Sequence, residues 1–162
     1  MKRIEPGPGQ ESVWDYPRPP RLEKTHKTLR VEFNGTVVAR TSSAYRVLET
    51  SHPPTYYFPP EDVKTELLTP AEGQTMCEWK GAASYFDLEV NSRRAARAVW
   101  TYRAPYESFS QIAGYYCFYP SMMDACYVGD ERVESQEGDY YGGWITKDIV
   151  GPFKGRAGTG FW

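Results

Sequence analysis

The sequence lacks long apolar runs and contains little cysteine. No stretch approaches the roughly 20 consecutive apolar residues that a transmembrane helix needs, so we expect no association with a membrane. The N-terminal residues also lack the apolar core of a secretory signal. The three cysteines form an odd and sparse set, which is typical of free thiols in a reducing compartment. These absences predict a cytoplasmic protein.

Excess positive charge and the common cofactor motifs are missing as well. The net charge of −2 argues against a protein that binds nucleic acid through a basic surface. The chain contains no GxGxxG, GxxxxGK[ST], HExxH or GxSxG motif, so the usual nucleotide-binding and hydrolase signatures are absent. Structural zinc sites use closely spaced cysteine or histidine pairs, and no CxxC occurs. We therefore predict no metal site.

Aromatic residues, proline and glycine are abundant. The chain has 13 tyrosines, 7 phenylalanines and 5 tryptophans, together with 13 prolines and 14 glycines, in 162 residues. Aromatic side chains suit the half-buried surface of a pleated sheet, and this length suits one domain with its own core. We predict a mainly β fold in residues 29–162. Residues 1–28 are predicted to form an extended arm held by Trp14, with a disordered leader as the alternative.

Several segments have a clear local pattern. Asn34-Gly35 separates two alternating runs and predicts a hairpin with a type I′ turn. In residues 83–90, alternation places Ala83 and Tyr85 on one face and Phe86 and Leu88 on the other. Residues 44–50 fit a strand better than a helix. Further strands are expected in residues 75–80, 97–102, 115–120 and 124–129, a short helix from Pro60, one helical turn within 106–114, and a surface-wrapping tail from 142.

Residues 49–63, ETSHPPTYYFPPEDV, combine four prolines with one of the two histidines. Pro60 suits the first turn of a helix, which explains the acids that follow it. The preceding SHPPTYYF stretch has no such explanation, because its stiff backbone would hold His52 and Tyr57 in fixed directions. An imidazole can act as a general acid or base near neutral pH. The alternative is a loop histidine that bonds to a carbonyl group.

Lys80 and Cys77 lie beside each other in CEWKG. Strand alternation would send Cys77 and Lys80 to opposite faces, with the cysteine in the core. A nearby cation can also make a cysteine reactive, and that alternative is left open. Lys80 precedes Gly81, so it can place a cation at the edge of a pocket, whereas an ordinary solvated lysine is the competing interpretation. The aromatic runs at 114–119 and 139–144 are expected to fill the core and to line a groove.

The motifs RVLETSHPPTYYFPPEDV, CEWKGAASYFDLEV, AVWTY, IAGYYCFYP and GGWITKDIVGPFKG together resemble the family known as domain of unknown function 427. The resemblance extends over nearly the whole chain, with the motifs in the same order. It implies a β-tent fold, in which two antiparallel sheets lean together, with one or two short helices. Many β-tent proteins hold zinc through CxxC pairs; this chain lacks them, so no metal is implied. The family is also labelled nucleotidyltransferase-like.

The resemblance also implies a set of site residues. Family motif positions present here are His52, Pro54, Tyr57, Pro59, Asp62, Cys77, Lys80, Gly81, Tyr85, Trp100 and Tyr102. We expect a pocket for a small anionic or carbonyl-bearing ligand, with His52 and Lys80 as catalytic candidates and Arg46, Tyr57, Tyr85, Trp100 and Tyr102 as ligand-binding candidates. The alternatives are a non-enzymatic interaction module and a nucleotidyltransferase-like activity. No cofactor is indicated.

Overall fold

Short strands dominate the computed structural model, which describes residues 2–138 and 141–162. Five short 3-10 helices lie among the described residues: Val13–Asp15, Pro60–Asp62, Thr65–Leu67, Glu107–Ile112 and Pro120–Met122. The strands are β1 (Glu11–Ser12), β2 (Arg21–Thr25), β3 (Leu29–Phe33), β4 (Thr36–Thr41), β5 (Ala44–Leu48), β6 (Thr55–Tyr57), β7 (Leu68–Cys77), β8 (Gly81–Val90), β9 (Arg93–Thr101), β10 (Tyr116–Phe118), β11 (Ala125–Val128), β12 (Glu131–Arg132), β13 (Glu134–Ser135), β14 (Trp144–Ile145) and β15 (Ile149–Val150).

The larger sheets are antiparallel and contain strands from distant parts of the chain. One four-stranded sheet has the order β10-β9-β8-β7, and a second has the order β12-β11-β3-β4. A three-stranded sheet, β2-β5-β6, accompanies them. Strands β13 and β14 form an antiparallel pair, whereas β1 and β15 pair in parallel. The predicted mainly β single domain is confirmed; its likeness to a β-tent stays a prediction.

The β3–β4 hairpin forms as its sequence predicts. Asn34 and Gly35 both have positive φ, 48° and 75°, which is the requirement of a type I′ turn. Glycine adopts this conformation without a steric cost, and asparagine tolerates it. The strand predicted in residues 44–50 is present as β5, which ends at Leu48 and pairs with β2 and β6.

The alternation along β8 divides the interior into two clusters. Phe86, Leu88 and Val90 join the cluster that packs the two four-stranded sheets together. Ala83 and Tyr85 face the other way, into a second cluster that includes Tyr57 of β6. The predicted division of this strand into two faces is therefore confirmed. The sheet β7–β10 has apolar side chains packed on both of its faces.

The predicted helix from Pro60 is wrong in extent. Pro60–Asp62 and Thr65–Leu67 form two separate 3-10 turns, and β7 already begins at Leu68. Between the turns, Val63 is extended, with φ −119° and ψ 136°, and forms a β-bridge to Ala39. Pairing with β4 thus interrupts the helix, since a residue cannot be helical and bridge to a strand. Tertiary pairing here overrides a local helix-start signal.

The predicted strand at residues 75–80 ends earlier than expected. Strand β7 stops at Cys77, and residues 78–80 form the turn that leads into β8 at Gly81. Gly81 has a φ of 104°, a conformation that L-amino acids rarely adopt. Strand alternation therefore does not apply beyond Cys77, and Lys80 is not sent to the opposite side from it.

Both ends of the chain pack onto the sheets. In the N-terminal segment, Arg21–Thr25 pairs with β5, and Trp14 donates from Nε1 to the carbonyl oxygen of Pro152 at 2.8 Å. In the C-terminal segment, Trp144 is 1 % exposed and belongs to the main cluster. The predicted boundary at residue 28 stays a prediction. Within the described residues, no helix has the length and apolar character needed to cross a membrane.

We predict that Trp144→Ala destabilises the protein strongly. The Trp144 ring contacts Tyr56 and Phe58, and its Nε1 donates to the carbonyl oxygen of Phe118 at 3.2 Å. Loss of a buried indole should lower the free energy of unfolding by about 3–5 kcal/mol, measured by chemical denaturation. Phe161→Ala is the control because that ring is fully exposed, and it should change the value by less than about 0.5 kcal/mol. A loss below about 1 kcal/mol for Trp144→Ala would contradict this packing.

Candidate functional site

A cavity of about 320 Å³ lies where the β7–β8 turn, β6 and β9 meet the segment after β13. Its polar and charged lining includes Glu49, His52, Glu78, Lys80, Gln136 and Lys154. Its aromatic lining is Tyr57, Trp79, Trp100, Tyr102 and Tyr141. The cavity therefore combines aromatic walls with at least as many polar and charged groups, and small-molecule pockets use polar groups of this kind to orient a ligand.

Local backbone constraints hold one wall of this cavity. Pro53 and Pro54 precede β6, and the carbonyl oxygen of Pro54 accepts a hydrogen bond from the Trp144 backbone N–H at 2.8 Å. Tyr57 follows on β6 and is 1 % exposed. Burial raises the pKa of Tyr57 well above its usual value, and a hydrogen bond with the Cys117 thiol accompanies it. Tyr57 is therefore a neutral, fixed part of the wall.

Lys80 is a buried lysine with aromatic neighbours. Lys80 is only 8 % exposed. Its Nζ is 5.6 Å from the ring centre of Tyr102 and 5.9 Å from that of Phe109. Within the described ranges, no carboxylate lies within 4 Å of this ammonium group. Burial of a charge is unfavourable, and aromatic faces offset only part of that cost. The site therefore has a cation that an acceptor oxygen would stabilise.

His52 lies in the same cavity in a neutral form. Burial is the largest cause that lowers the pKa of His52, and together with the nearby charges of Lys154, Arg18 and Lys80 it brings this pKa to about 4. The Glu49 carboxylate, 3.6 Å from Nε2, would by itself favour the charged form, but it also lies 3.5 Å from Arg18. Burial and the three cations outweigh this attraction, because the distance to Glu49 exceeds that of a hydrogen bond.

Five of the seven predicted site residues line this cavity: His52, Tyr57, Lys80, Trp100 and Tyr102. The other two, Arg46 and Tyr85, lie elsewhere. Lys80 and Cys77 both line the cavity, so the expectation that they face opposite sides is wrong. The reason is that Lys80 belongs to a turn rather than to the strand. Cys77 is half-buried and packs against the second cluster.

Arg46 holds the N-terminal segment instead of facing the cavity. Its guanidinium donates to Glu11 at 2.6 Å and to Glu23 at 2.7–2.8 Å. Burial alone would lower the pKa of Arg46, but the hydrogen bonds to these two carboxylates raise it. Glu11 also accepts from the Tyr16 hydroxyl at 2.8 Å. With both acids already bound, Arg46 connects β1 and β2 to β5.

Tyr85 shares a sheet face with its cross-strand partner Trp100 but does not line the cavity. Its hydroxyl is 2.9 Å from the Thr75 hydroxyl, and the Arg97 guanidinium lies 4.2 Å from its ring centre. Both partners are on strands adjacent to β8 in the same sheet. Tyr85 therefore stabilises the sheet and is separated from His52 and Lys80.

Sequence reasoning missed Gln136 and Lys154, two cavity residues from the C-terminal segment for which no pattern gave a signal. Gly142 also lines the cavity, and its signal was the Gly142-Gly143 pair, since paired glycines often mark a close approach of backbone to a neighbour. Tyr141 lies within the predicted aromatic run at 139–144, of which Asp139 and Tyr140 lie outside the described residues. Among the described residues, no cluster of histidine, cysteine and acidic side chains is arranged to hold a metal ion.

The glycine pair lets this segment close against the cavity. A Cβ on Gly142 would overlap the Trp100 indole at Cη2. A Cβ on Gly143 would lie 2.5 Å from both Gln136 Oε1 and Pro53 Cγ. Both distances are far below normal carbon contacts, so only glycine fits at either position without movement of the lining side chains.

The structure thus defines a mainly β domain with a polar and aromatic cavity between its sheets and its C-terminal segment. The comparison with protein families agrees with the sequence motifs. The chain belongs to the family described as a domain of unknown function, DUF427, whose model is labelled NTP_transf_9 and matches residues 21–129. No curated protein matches the chain. His52, Tyr57, Lys80, Trp100 and Tyr102 lie within the matched residues, whereas Gln136 and Lys154 lie beyond them.

We predict that Gly142→Ala disturbs the cavity. Because the added methyl group overlaps the buried Trp100 ring, either the ring or the 141–143 segment must move. Overpacking of this kind should lower the free energy of unfolding by about 1–3 kcal/mol, measured by denaturant titration with tryptophan fluorescence. Gly160→Ala is the control, because no atom lies within 4 Å of its added Cβ. Equal stabilities for the two variants would show that the segment does not close on Trp100.

We also predict that His52 makes the protein less stable in acid. Its pKa is about 4 in the folded state and about 6.5 when unfolded, so at pH 7.5 the imidazole is mostly neutral in both states. As the pH falls from 6.5 toward 4, the unfolded chain binds a proton that the folded protein does not, and stability is lost. Between pH 7.5 and 4.5, this lowers the free energy of unfolding by about 2–3 kcal/mol.

The measurement compares wild type with His52→Asn in denaturant at both pH values. Asparagine keeps an acceptor near the position of Nδ1 but does not titrate. The free energy of unfolding of the variant should therefore lack the decrease at low pH that His52 causes. His26→Asn, at an exposed position outside the cavity, controls for the loss of one imidazole from the chain. A stability difference between wild type and His52→Asn that is the same at both pH values would contradict the assignment.

Proposed function

We propose that this protein binds a small anionic or carbonyl-bearing molecule in the cavity between His52 and Lys80. The observation that carries the proposal is Lys80, a residue only 8 % exposed whose ammonium group lies near two aromatic rings and has no carboxylate within 4 Å among the described residues. A ligand oxygen at this position would accept a hydrogen bond from the ammonium group and balance its charge. The cavity volume of about 320 Å³ is at the lower end of known small-molecule pockets.

The aromatic walls suit a ligand with a flat apolar part. Trp79, Trp100 and Tyr102 border the cavity, and aromatic faces bind planar groups by stacking and by burial of apolar area. Lys80 would then orient the polar end. If a reaction follows binding, Lys80 is placed to stabilise negative charge that develops on a ligand oxygen, an effect that is large in a site that excludes water.

An interaction module is the alternative function, and the rim of the cavity favours it. Met76 is 66 % exposed and lines the cavity, and Tyr106 is 48 % exposed and would contact a Cβ at Gly81. Exposed large apolar side chains around a cleft are also typical of surfaces that bind proteins. This alternative predicts no response to small molecules. The nucleotidyltransferase-like activity suggested by the family label predicts a response to ATP with Mg²⁺.

The test is a thermal-shift screen of the purified protein with small carboxylates, 2-oxo acids, aldehydes, inorganic phosphate, and ATP with and without Mg²⁺. We expect carboxylates or 2-oxo acids to raise the melting temperature. Lys80→Met should weaken the apparent affinity for the best compound at least tenfold, because one charge-assisted hydrogen bond is lost. Lys64→Met, at an exposed lysine outside the cavity, should leave the affinity unchanged.

Without ligand, Lys80→Met should be at least as stable as wild type. Methionine has a similar length, and its replacement of the ammonium removes the cost of burying a charge. The combination of equal or higher stability with lost binding is expected for a residue that serves a ligand rather than the fold. Equal affinities of Lys80→Met and wild type for the same compound would overturn the proposal.

A further inference from the structure

Gln136 makes an unusual set of contacts behind the wall of the cavity. It follows β13, is 4 % exposed, and lies between the backbone of the C-terminal segment and the His52 ring. Its Oε1 accepts from the Gly143 backbone N–H at 3.2 Å, and its Nε2 donates to the Lys154 carbonyl oxygen at 2.7 Å. The same Nε2 is 3.3 Å from His52 Nδ1.

The two backbone contacts determine the orientation of the Gln136 amide. A backbone N–H can only donate, so the amide atom that faces Gly143 must be the oxygen. A backbone carbonyl can only accept, so the atom that faces Lys154 must be the nitrogen. A reversed amide would lose both hydrogen bonds in a buried place, which costs about 1–3 kcal/mol for each unsatisfied group. The orientation is therefore settled by the main chain, independently of His52.

The second N–H of Gln136 then points toward His52 and determines which ring nitrogen carries the proton. Nδ1 must accept this hydrogen bond, so it has no proton, and the proton of the neutral ring is on Nε2. A doubly protonated ring would place two donors against each other. The contact with Gln136 is thus compatible with one form of the ring alone, the neutral Nε2–H tautomer.

We propose that Gln136 is a positioning residue that holds His52 as the neutral Nε2–H tautomer, so that His52 presents a hydrogen-bond donor to an acceptor oxygen of the ligand. The last step rests on the proposed function, whereas the tautomer does not. With Nδ1 occupied and Nε2 protonated, the ring has no free lone pair and does not act as a general base. His52 and Lys80 are then two donors in one cavity, and the ligand class is a carboxylate or a carbonyl compound.

The charges around His52 agree with this role. Nε2 lies 3.6 Å from the Glu49 carboxylate, which is too long for a hydrogen bond and leaves the N–H available to a ligand. Lys154, Arg18 and Lys80 are the cations near the ring, and they oppose its protonation together with burial. The Tyr141 ring, with its centre 5.4 Å away, covers one side. In this arrangement, the carboxylates of Glu49 and Glu78 are the cavity groups with lone pairs able to accept a proton.

The test is a long-range ¹H–¹⁵N NMR correlation spectrum of the imidazole rings of ¹⁵N-labelled wild-type protein at neutral pH. We expect the pattern of a single Nε2–H tautomer for His52, with Nδ1 at the chemical shift of an unprotonated nitrogen. Exposed His26, in the same spectrum, provides a reference for a ring outside the cavity. An Nδ1–H, charged or averaged pattern for His52 in the wild type would overturn the proposal.

Two variants show whether Gln136 causes the tautomer. Gln136→Glu replaces the donor by an acceptor and should move the proton to Nδ1, whereas Gln136→Met removes the partner and should give a mixture of tautomers. A purely structural role would not change the pattern in this way. An unchanged Nε2–H pattern in both variants would overturn the role of Gln136. Where a variant does not fold, the wild-type spectrum still decides the tautomer, and the thermal-shift screen tests ligand binding separately.

Discussion

The burial of both faces of the sheet β7–β10 is the constraint on which the rest of the structure depends. Because side chains alternate along β8 and β9, one face of this sheet packs against the second four-stranded sheet. The other face carries Trp100, which lines the cavity, and packs against β5 and β6. The cavity is thus the outer boundary of a packed core, which gives its aromatic walls fixed positions.

The parts of the fold that were predictable depend on short-range chemistry. Asn34-Gly35 encodes its turn through positive φ at both residues, and alternation along residues 83–90 encodes which face is buried. The helix predicted from Pro60 failed because Val63 pairs with β4, a contact between distant residues that no local pattern contains. Lys80 was misplaced for a similar reason, since the position of a turn changes the direction of every side chain after it.

The sequence predicted those site residues that lie in a proline-rich stretch or beside a glycine. His52 and Tyr57 stood out in a proline-rich stretch, and Lys80 stood out beside Gly81. Arg46 stood out by its charge, but its two glutamate partners come from segments 23 and 35 residues away. Gln136 gave no signal at all, because a glutamine becomes informative only when its hydrogen-bond partners are known. Long-range polar contacts are therefore the part of a site that sequence patterns miss.

The chemistry of the cavity follows from the hydrogen-bonding direction of its polar groups. Lys80 offers an ammonium group, and the backbone of the C-terminal segment, through Gln136, makes His52 a second donor. Glu49 also lines the cavity, and its carboxylate forms an ion pair with Arg18. This arrangement favours recognition of an oxygen-bearing ligand. It also assigns the residues beyond the family-matched region a direct part in the site.

The most direct measurement is a crystal structure of the protein with the small carboxylate that stabilises it most. We expect a carboxylate oxygen within hydrogen-bond distance of both Lys80 Nζ and His52 Nε2, with the remainder of the compound between the aromatic walls. Electron density for the compound outside this cavity, or an oxygen that contacts neither Lys80 nor His52, would contradict this binding mode.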